Sequence, residues 1–310
     1  MEKLDQPPHQ PVLYHEIIHF LRPQSPERYV DATVGAGGHA WGILEKSAPQ
    51  GRLLALDRDP QALELAGQRL LLFKDRLVLV QASYTALAAE LQRLNWQSVH
   101  GIVFDLGVSS MQLDTPARGF SFQSQGPLDM RFDPADPLSA ANLVNDLPES
   151  ELADLIWRYG EERHSRQIAQ AIVRARPLQT TGQLVETIRK AAGGQRDRLH
   201  PATRTFQALR IAVNQELQAV EIGLPQAVQA LASGGRLAVI SFHSMEDRIV
   251  KQYFRHESRD CICPPEQPVC TCGHKASIRE LTRRPIQPRP EEIQTNPRAR
   301  SARLRVAEKI

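Results

Sequence analysis

Val30-Asp31-Ala32-Thr33-Val34-Gly35-Ala36-Gly37-Gly38-His39 is a short apolar run that ends in an acid and passes through a glycine-rich turn into a helical segment. A doubly wound α/β sheet presents its first strand and its ligand loop in this way, because glycines let the backbone turn tightly and approach a bound molecule closely. An ordinary strand-to-helix turn has the same look, so the flanking sequence decides. Upstream, an amphipathic stretch over 13–21 precedes a strand over 28–33. Downstream, a helix over 39–46 leads to Arg52-Leu53-Leu54-Ala55-Leu56-Asp57, which is apolar between its ends and again closes on an acid. Near-continuous apolar strands belong to parallel sheets covered on both faces.

The alternation continues. Asp59-Pro60 opens a helix with proline in its first turn. Strands are predicted over 77–81 and 99–105, with a helix over 86–94 between them. Asp31, Asp57 and Asp105 thus reach the carboxyl ends of strands, the edge where open α/β sheets bind ligands. One such acid is an ordinary helix cap, but three together with the glycine loop indicate a site. Asp57 lies 20 residues after Gly37, the spacing at which nucleotide-binding α/β folds place an acceptor for ribose hydroxyls. Ser83-Tyr84 follows the third strand, where an aromatic ring can lie against a base.

After Asp105 the pattern breaks. Residues 106–114 read as loop and 118–131 as irregular structure, a length of loop that is normally functional. Helical periodicity then covers 140–143, 149–159, 165–174 and 181–191, and a single helix is expected over 204–224. Gly234-Gly235 leads back into an apolar strand, a helix follows over 247–254, and a Pro- and Arg-rich stretch fills 255–300. Residues 303–307 are expected as a final edge strand. The simplest organisation is a discontinuous α/β domain, 1–114 with 211–310, interrupted by an inserted all-helical substrate-recognition domain over 115–210.

A content of 41% hydrophobic and 24% charged residues is that of a folded globular chain. No apolar run approaches the ~20 residues of a membrane span. The polar, Pro-rich first eleven residues lack the apolar core of a signal peptide, so a cytoplasmic location without a membrane partner is expected. The net charge of +3 is small but segregated: residues 163–210 carry +8, residues 279–310 carry +5, and the remainder −10. Such segregation suits a polyanionic partner, although solvated helix faces produce it too.

The motifs become specific in combination. The glycine-loop stretch, Ala55-Leu56-Asp57-Arg58-Asp59-Pro60, and the run from Phe104 to Asp114 resemble one family. Arg118-Gly119-Phe120-Ser121-Phe122, Gly126-Pro127-Leu128-Asp129-Met130-Arg131 and the run from His200 to Arg210 continue the match. Ser241-Phe242-His243-Ser244-Met245-Glu246-Asp247-Arg248 and Asn296-Pro297-Arg298-Ala299-Arg300-Ser301 complete it. Together these resemble the bacterial small-subunit ribosomal RNA methyltransferase H family, also called MraW, in the right order through nearly the whole chain. The resemblance implies a class I, Rossmann-like S-adenosylmethionine methyltransferase sheet with an inserted helical domain. It implies methyl transfer to N4 of one cytidine in 16S rRNA of the small ribosomal subunit. It also implies cofactor contacts from Gly37, Gly38, His39, Asp57, Tyr84, Asp105 and Gln112.

The methyl donor is already activated, so such an enzyme mainly has to place a nucleophile in line with it. Asp105 stands where an acceptor for the target amine belongs, and the resemblance favours the alternative role, that it holds only the cofactor. His243, after the fifth strand, is a candidate catalytic residue or a structural hydrogen-bonder. Asp129 and Arg131 either order the long loop or contact RNA. Arginines from Arg163 to Arg210 are candidates for phosphate contacts, and Phe120, Phe122 and Phe206 for base stacking or for the small domain's core. Cys261, Cys263, Cys270 and Cys272 form two Cys-x-Cys pairs six residues apart. They suit a structural zinc site, with free thiols and disulfides as the alternatives. A methyltransferase of another substrate and a non-catalytic RNA-binding assembly factor are the competing readings of the whole.

Overall fold

A computed structural model describes residues 11–192, 200–267 and 269–310. The chain separates into two compact units, residues 1–107 with 217–310 and residues 108–216.

The first unit begins with α1 (Tyr14–Leu21), β1 (Arg28–Asp31), α2 (Gly38–Lys46), β2 (Arg52–Asp57) and α3 (Pro60–Arg69). It continues with β3 (Leu77–Gln81), α4 (Leu87–Arg93) and β4 (Val99–Asp105). The second unit contributes α5 (Ser110–Asp114), α6 (Ala140–Asp146), α7 (Glu149–Gly160), α8 (Ser165–Ala175), α9 (Thr181–Ala191) and α10 (Thr203–Asn214). The chain then returns through α11 (Glu216–Ala230), β5 (Leu231–Ser241), α12 (Ser244–Glu257), β6 (Ile278–Glu280), α13 (Pro290–Thr295) and β7 (Arg303–Lys309).

The sheet runs β3-β2-β1-β4-β5-β7-β6, parallel except that β7 is antiparallel to both β5 and β6. Successive residues of the apolar strands feed two different cores. Val30, Leu54, Leu56, Ile102 and Phe104 pack with Leu87 of α4, Leu224 of α11 and Phe254 of α12. Tyr29, Leu53, Ala55 and Val103 pack with Ile17 of α1 and Ile43 of α2 on the other face. Period-two alternation therefore buries both faces, which is why these strands carry almost no polar residue.

Three expectations are corrected here. β7 is not the edge strand: it lies between β5 and β6. The three residues of β6, set in a Pro- and Arg-rich stretch, are too few to display a strand period. The expected single helix over 204–224 is broken at Gln215, which turns into the left-handed region (φ 53°) and closes α10 by donating its N–H to Ile211 O. No glycine or proline marks that break. Residues 106–114, expected as loop, contain the short helix α5, started by a reciprocal capping box between Ser109 and Gln112.

The helical unit has its own core, with Leu152, Ile156, Ile168, Ile172, Leu184 and Leu209 at its centre. Val108 and Leu113 pack against this core and Val213 belongs to it, so the unit takes in residues on both flanks of 115–210. The long loop is ordered from within. Arg131 donates to both carboxylate oxygens of Asp129 (3.0 and 2.6 Å) and to Asp136 O, and Arg118 donates to Arg131 O and Phe132 O. Asn214 clamps the same turn, donating to Met130 O and accepting from Phe132 N, each at 2.7 Å. Asp129 and Arg131 are thus loop-ordering residues.

Candidate active site

β1 has β2 on one side and β4 on the other. The chain leaves β1 for one half of the sheet and later crosses to the other, which opens a crevice at the carboxyl ends of these strands. Asp31 pairs in register with Ala55 and Val103. Asp57 and Asp105 lie two residues further along, and side chains two apart share a face of the sheet. All three carboxyls therefore project from the face that α1 and α2 cover.

The glycine loop fastens them. Ala32 N donates to Val103 O and Val34 N to Leu56 O, each at 2.9 Å, so the loop stays tied to both neighbouring strands. Asp105 N donates to Thr33 Oγ1 (2.6 Å). The Asp57 carboxylate accepts from Gly35 N (2.9 Å) on one oxygen and from Asp59 N (3.0 Å) on the other. Gly35 and Gly37 have φ of 51° and 80°, conformations open to glycine at no steric cost. A Cβ on Gly38 would come within 2.8 Å of Pro11.

His39, in the first turn of α2, is 4% exposed and Asp31 only 1%. His39 Nε2 stands 3.6 Å from Asp105 Oδ2, and its ring stacks with that of Tyr14. Among the described residues, buried polar atoms without a hydrogen-bond partner gather at this point: Asp31 Oδ2, Asp105 Oδ1 and both ring nitrogens of His39. Folded chains leave few such atoms. Several in one crevice fit a polar, cationic ligand that brings its own donors. S-adenosylmethionine, with ribose hydroxyls, an amino-acid end and a sulfonium charge, meets that description.

Burial pushes the Asp31 carboxyl up to about 7, against the pull of His39. Burial likewise pushes Asp57 up to about 6, against its backbone hydrogen bonds. The native state therefore holds protons that the unfolded chain has released, and stability falls as pH rises from about 4 to about 7. Asp31→Asn is expected to raise the melting temperature of the cofactor-free protein near pH 8 and to leave it unchanged near pH 4. The relieved cost is on the order of a few kcal/mol. The same carboxyls make cation binding proton-linked: affinity for S-adenosylmethionine should rise from about pH 5.5 to 8, and that for the uncharged thioether product should rise less. Titration calorimetry across that range checks both, and a flat profile for the sulfonium would remove Asp31 and Asp57 from its surroundings.

Of the expected contact residues, Gly37, Gly38, His39, Asp57 and Asp105 come together in this crevice. Tyr84 does not join them in the structure: its ring packs on Phe104 (4.9 Å between centroids) in the core on the opposite face, closely enough that a Cβ on Gly223 would meet it at 2.6 Å. Gln226 fixes that turn by donating to Thr85 O and accepting from Ala88 N. Gln112 is buried in the helical unit, with its side-chain carbonyl accepting from Ser109 N (3.0 Å). His243 is the N-cap of α12. Its Nδ1 accepts from Glu246 N, its own N–H donates to Glu246 Oε2, and its Nε2 lies 3.1 Å from Glu246 Oε1. A ring held in a reciprocal cap has a structural task there. Thr33, Asn214 and Gln226 were not legible as site or support residues, because they act through bonds to residues distant in sequence, which leave no local pattern.

In the helical unit, Arg163, Arg166, Arg174 and Arg189 are exposed. Two other expected phosphate contacts are engaged internally. Arg176 donates to Val144 O and Leu147 O, and Arg210 makes a two-pronged pair with Glu216 (2.8 and 3.0 Å). Arg196 and Arg198 lie outside the described residues. Phe120 and Phe206 are buried in the helical core, whereas Phe122 is partly buried and stacks on His200 (4.8 Å, 9°).

A doubly wound sheet with an antiparallel β7, a glycine loop after β1 and acids closing β1, β2 and β4 defines an S-adenosylmethionine-dependent methyltransferase. A family profile described as the MraW methylase family matches residues 6–310. Ribosomal RNA small subunit methyltransferase H of Dehalococcoides mccartyi is 55% identical over 98% of this chain and 87% of its own length. The protein of the same name from Thermomicrobium roseum is 54% identical over 97% of this chain and 94% of its own. That from Heliobacterium modesticaldum is 49% identical over 97% and 98%. The chain belongs to the MraW methylase family.

Proposed function

We propose that this chain methylates N4 of one cytidine in 16S rRNA of the small ribosomal subunit. The observation that carries the reading is identity of about half the residues, along nearly the full length, to proteins named for small-subunit ribosomal RNA methylation. The exposed arginines of the helical unit supply the matching electrostatics, since phosphate contacts dominate affinity for RNA.

When bound, S-adenosylmethionine supplies an activated methyl group on a sulfonium centre. Asp57 would accept hydrogen bonds from the ribose hydroxyls, its carboxylate oriented by backbone donors that include Gly35 N and Asp59 N. Gly37 and Gly38 would let the backbone close on the methionyl part, with His39 beside it.

The exocyclic amine of cytosine is a poor nucleophile, because its lone pair is delocalised into the ring. Asp105 Oδ1, buried and without a hydrogen-bond partner among the described residues, would accept one N–H of that amine. Holding that proton favours the tetrahedral nitrogen and stabilises charge that develops only in the transition state. His39 Nε2 stands 3.6 Å from the other oxygen, an electrostatic contact rather than a hydrogen bond. His243, fixed as a cap, would position the start of α12 and take no part in proton transfer.

The test is transfer from labelled S-adenosylmethionine to small subunits purified from a strain that lacks the modification. One mole of N4-methylcytidine per subunit is expected. Asp105→Asn should keep cofactor affinity within a few-fold and lower turnover about a hundredfold or more. Cofactor binding with no transfer to any form of the subunit would overturn the substrate, and unchanged turnover in Asp105→Asn would overturn the acceptor role.

A further inference from the structure

Between α12 and β6 the chain makes an excursion that neither core supports. Among its described residues, the large apolar side chains Ile262 and Val269 are 39% and 68% exposed rather than buried. Its base is tied by Ser277 N to Glu257 O (2.8 Å) and by Ala276 N to Asp260 Oδ1 (3.3 Å). Its tip is gathered by cysteine. The four sulfurs of Cys261, Cys263, Cys270 and Cys272 lie within 4.8 Å of one another. Cys270 Sγ is 3.6 Å from Cys272 Sγ, and Cys272 Sγ is 3.9 Å from Cys261 Sγ.

These separations select the chemistry. A disulfide needs sulfurs about 2.05 Å apart. Four thiolates on a tetrahedral ion with bonds of about 2.3 Å stand about 3.8 Å from each other. Backbone amides already face the sulfurs: Ile262 N donates to Cys272, Cys263 N to Cys261 and Thr271 N to Cys263, at 3.4–3.5 Å. Amide donors aimed at sulfur disperse thiolate charge and fix ligand orientation around a metal. All four ligands come from one twelve-residue stretch, and none lies in the cofactor crevice, so the ion's work is to close the loop.

We propose that Cys261, Cys263, Cys270 and Cys272 bind one zinc ion as a structural tetrathiolate that staples this loop beside the edge strand β6. A closed four-sulfur site leaves no open position for catalysis, and a d¹⁰ ion matches tetrahedral sulfur without redox chemistry. The proposal is independent of the RNA substrate.

The experiment uses the full chain, purified under reducing conditions with no chelator. Metal analysis should give one zinc per chain. Exchange with cobalt(II) should produce the intense visible bands and near-ultraviolet charge transfer of tetrahedral thiolate coordination. The Cys263→Ser/Cys272→Ser variant should lose the zinc, gain a protease-sensitive site between Asp260 and Ser277, and keep the thermal shift induced by S-adenosylmethionine. A chain that takes up neither zinc nor cobalt and titrates four free thiols would overturn the assignment. So would bound iron, or zinc that persists in the double variant.

Discussion

Asp57→Ala is expected to abolish measurable methyl transfer and to weaken cofactor binding by roughly 10²–10³-fold. The substitution removes a carboxylate that accepts from Gly35 N and Asp59 N and faces the crevice with its remaining lone pairs. Hydrogen bonds to a charged group contribute about 1.5–3 kcal/mol each. Losing the ribose anchor and the tie on the glycine loop together amounts to about 3–5 kcal/mol, and each 1.4 kcal/mol is tenfold in affinity. The fold itself should survive: burial already holds this carboxyl at about 6, so its removal relieves a desolvation cost near neutral pH. The diagnostic is the rise in melting temperature on adding S-adenosylmethionine, which should vanish while the unliganded melting temperature does not fall. Asp57→Asn should fall between, because its amide NH2 must confront at least one of the backbone donors. A full cofactor-induced shift in Asp57→Ala would exclude this carboxylate from the binding site.

The largest loss of stability is expected from Asp247→Ala, about 3–5 kcal/mol by denaturant unfolding. Asp247, in the first turn of α12, accepts from Arg305 Nε (2.7 Å) and Nη2 (3.2 Å) and from Arg303 Nη1 (3.2 Å). Arg305 is only 4% exposed and sits on β7 opposite Val239 of β5. Truncating the acid leaves a guanidinium buried without a counter-charge in a strand that joins β5 to β6. Burial alone would raise the Asp247 carboxyl; the hydrogen bonds and charge of Arg305, then of Arg303, bring it below the usual carboxylate range. Its folded pKa is depressed, so its stabilisation is present above the ordinary carboxylate value and is lost as pH falls through the folded one. The penalty of Asp247→Ala should accordingly shrink at low pH. Replacing both partners, Asp247→Leu with Arg305→Met, should recover most of the loss, as apolar substitutes for buried ion pairs do. A deficit in the double variant equal to that of Asp247→Ala would show that packing of the carboxylate, not its charge, is what matters.

These two acids show where sequence reading succeeds and where it stops. Asp57 was legible because its meaning is local: an apolar strand, an acid at its end and a fixed distance from a glycine loop. β2, β3 and β4 were legible to the residue for the same reason, since a buried parallel strand has to be apolar along its whole length. Asp247 was not. The sequence read it as the start of a helix, and its partners lie 56 and 58 residues away on a strand expected at the edge. Arg176 and Arg210 looked like their exposed neighbours until their carbonyl and carboxylate partners were seen.

The chain by itself determined the doubly wound class, the interruption by helices, the three strand-end acids and the four-cysteine loop. Each follows from a period, a spacing or a breaker within a short window. Tertiary structure alone decided that β7 lies inside the sheet, that Gln215 divides two helices, that Gln112 and His243 cap helices, and that Phe120 and Phe206 are core. It alone showed that, among the described residues, Asp31, His39 and Asp105 carry buried polar atoms without hydrogen-bond partners in one crevice. The physical reason is common to all of these: burial and hydrogen-bond partnership are pairwise properties of residues distant in sequence, and a local pattern records a residue's preference but not the neighbour that satisfies it.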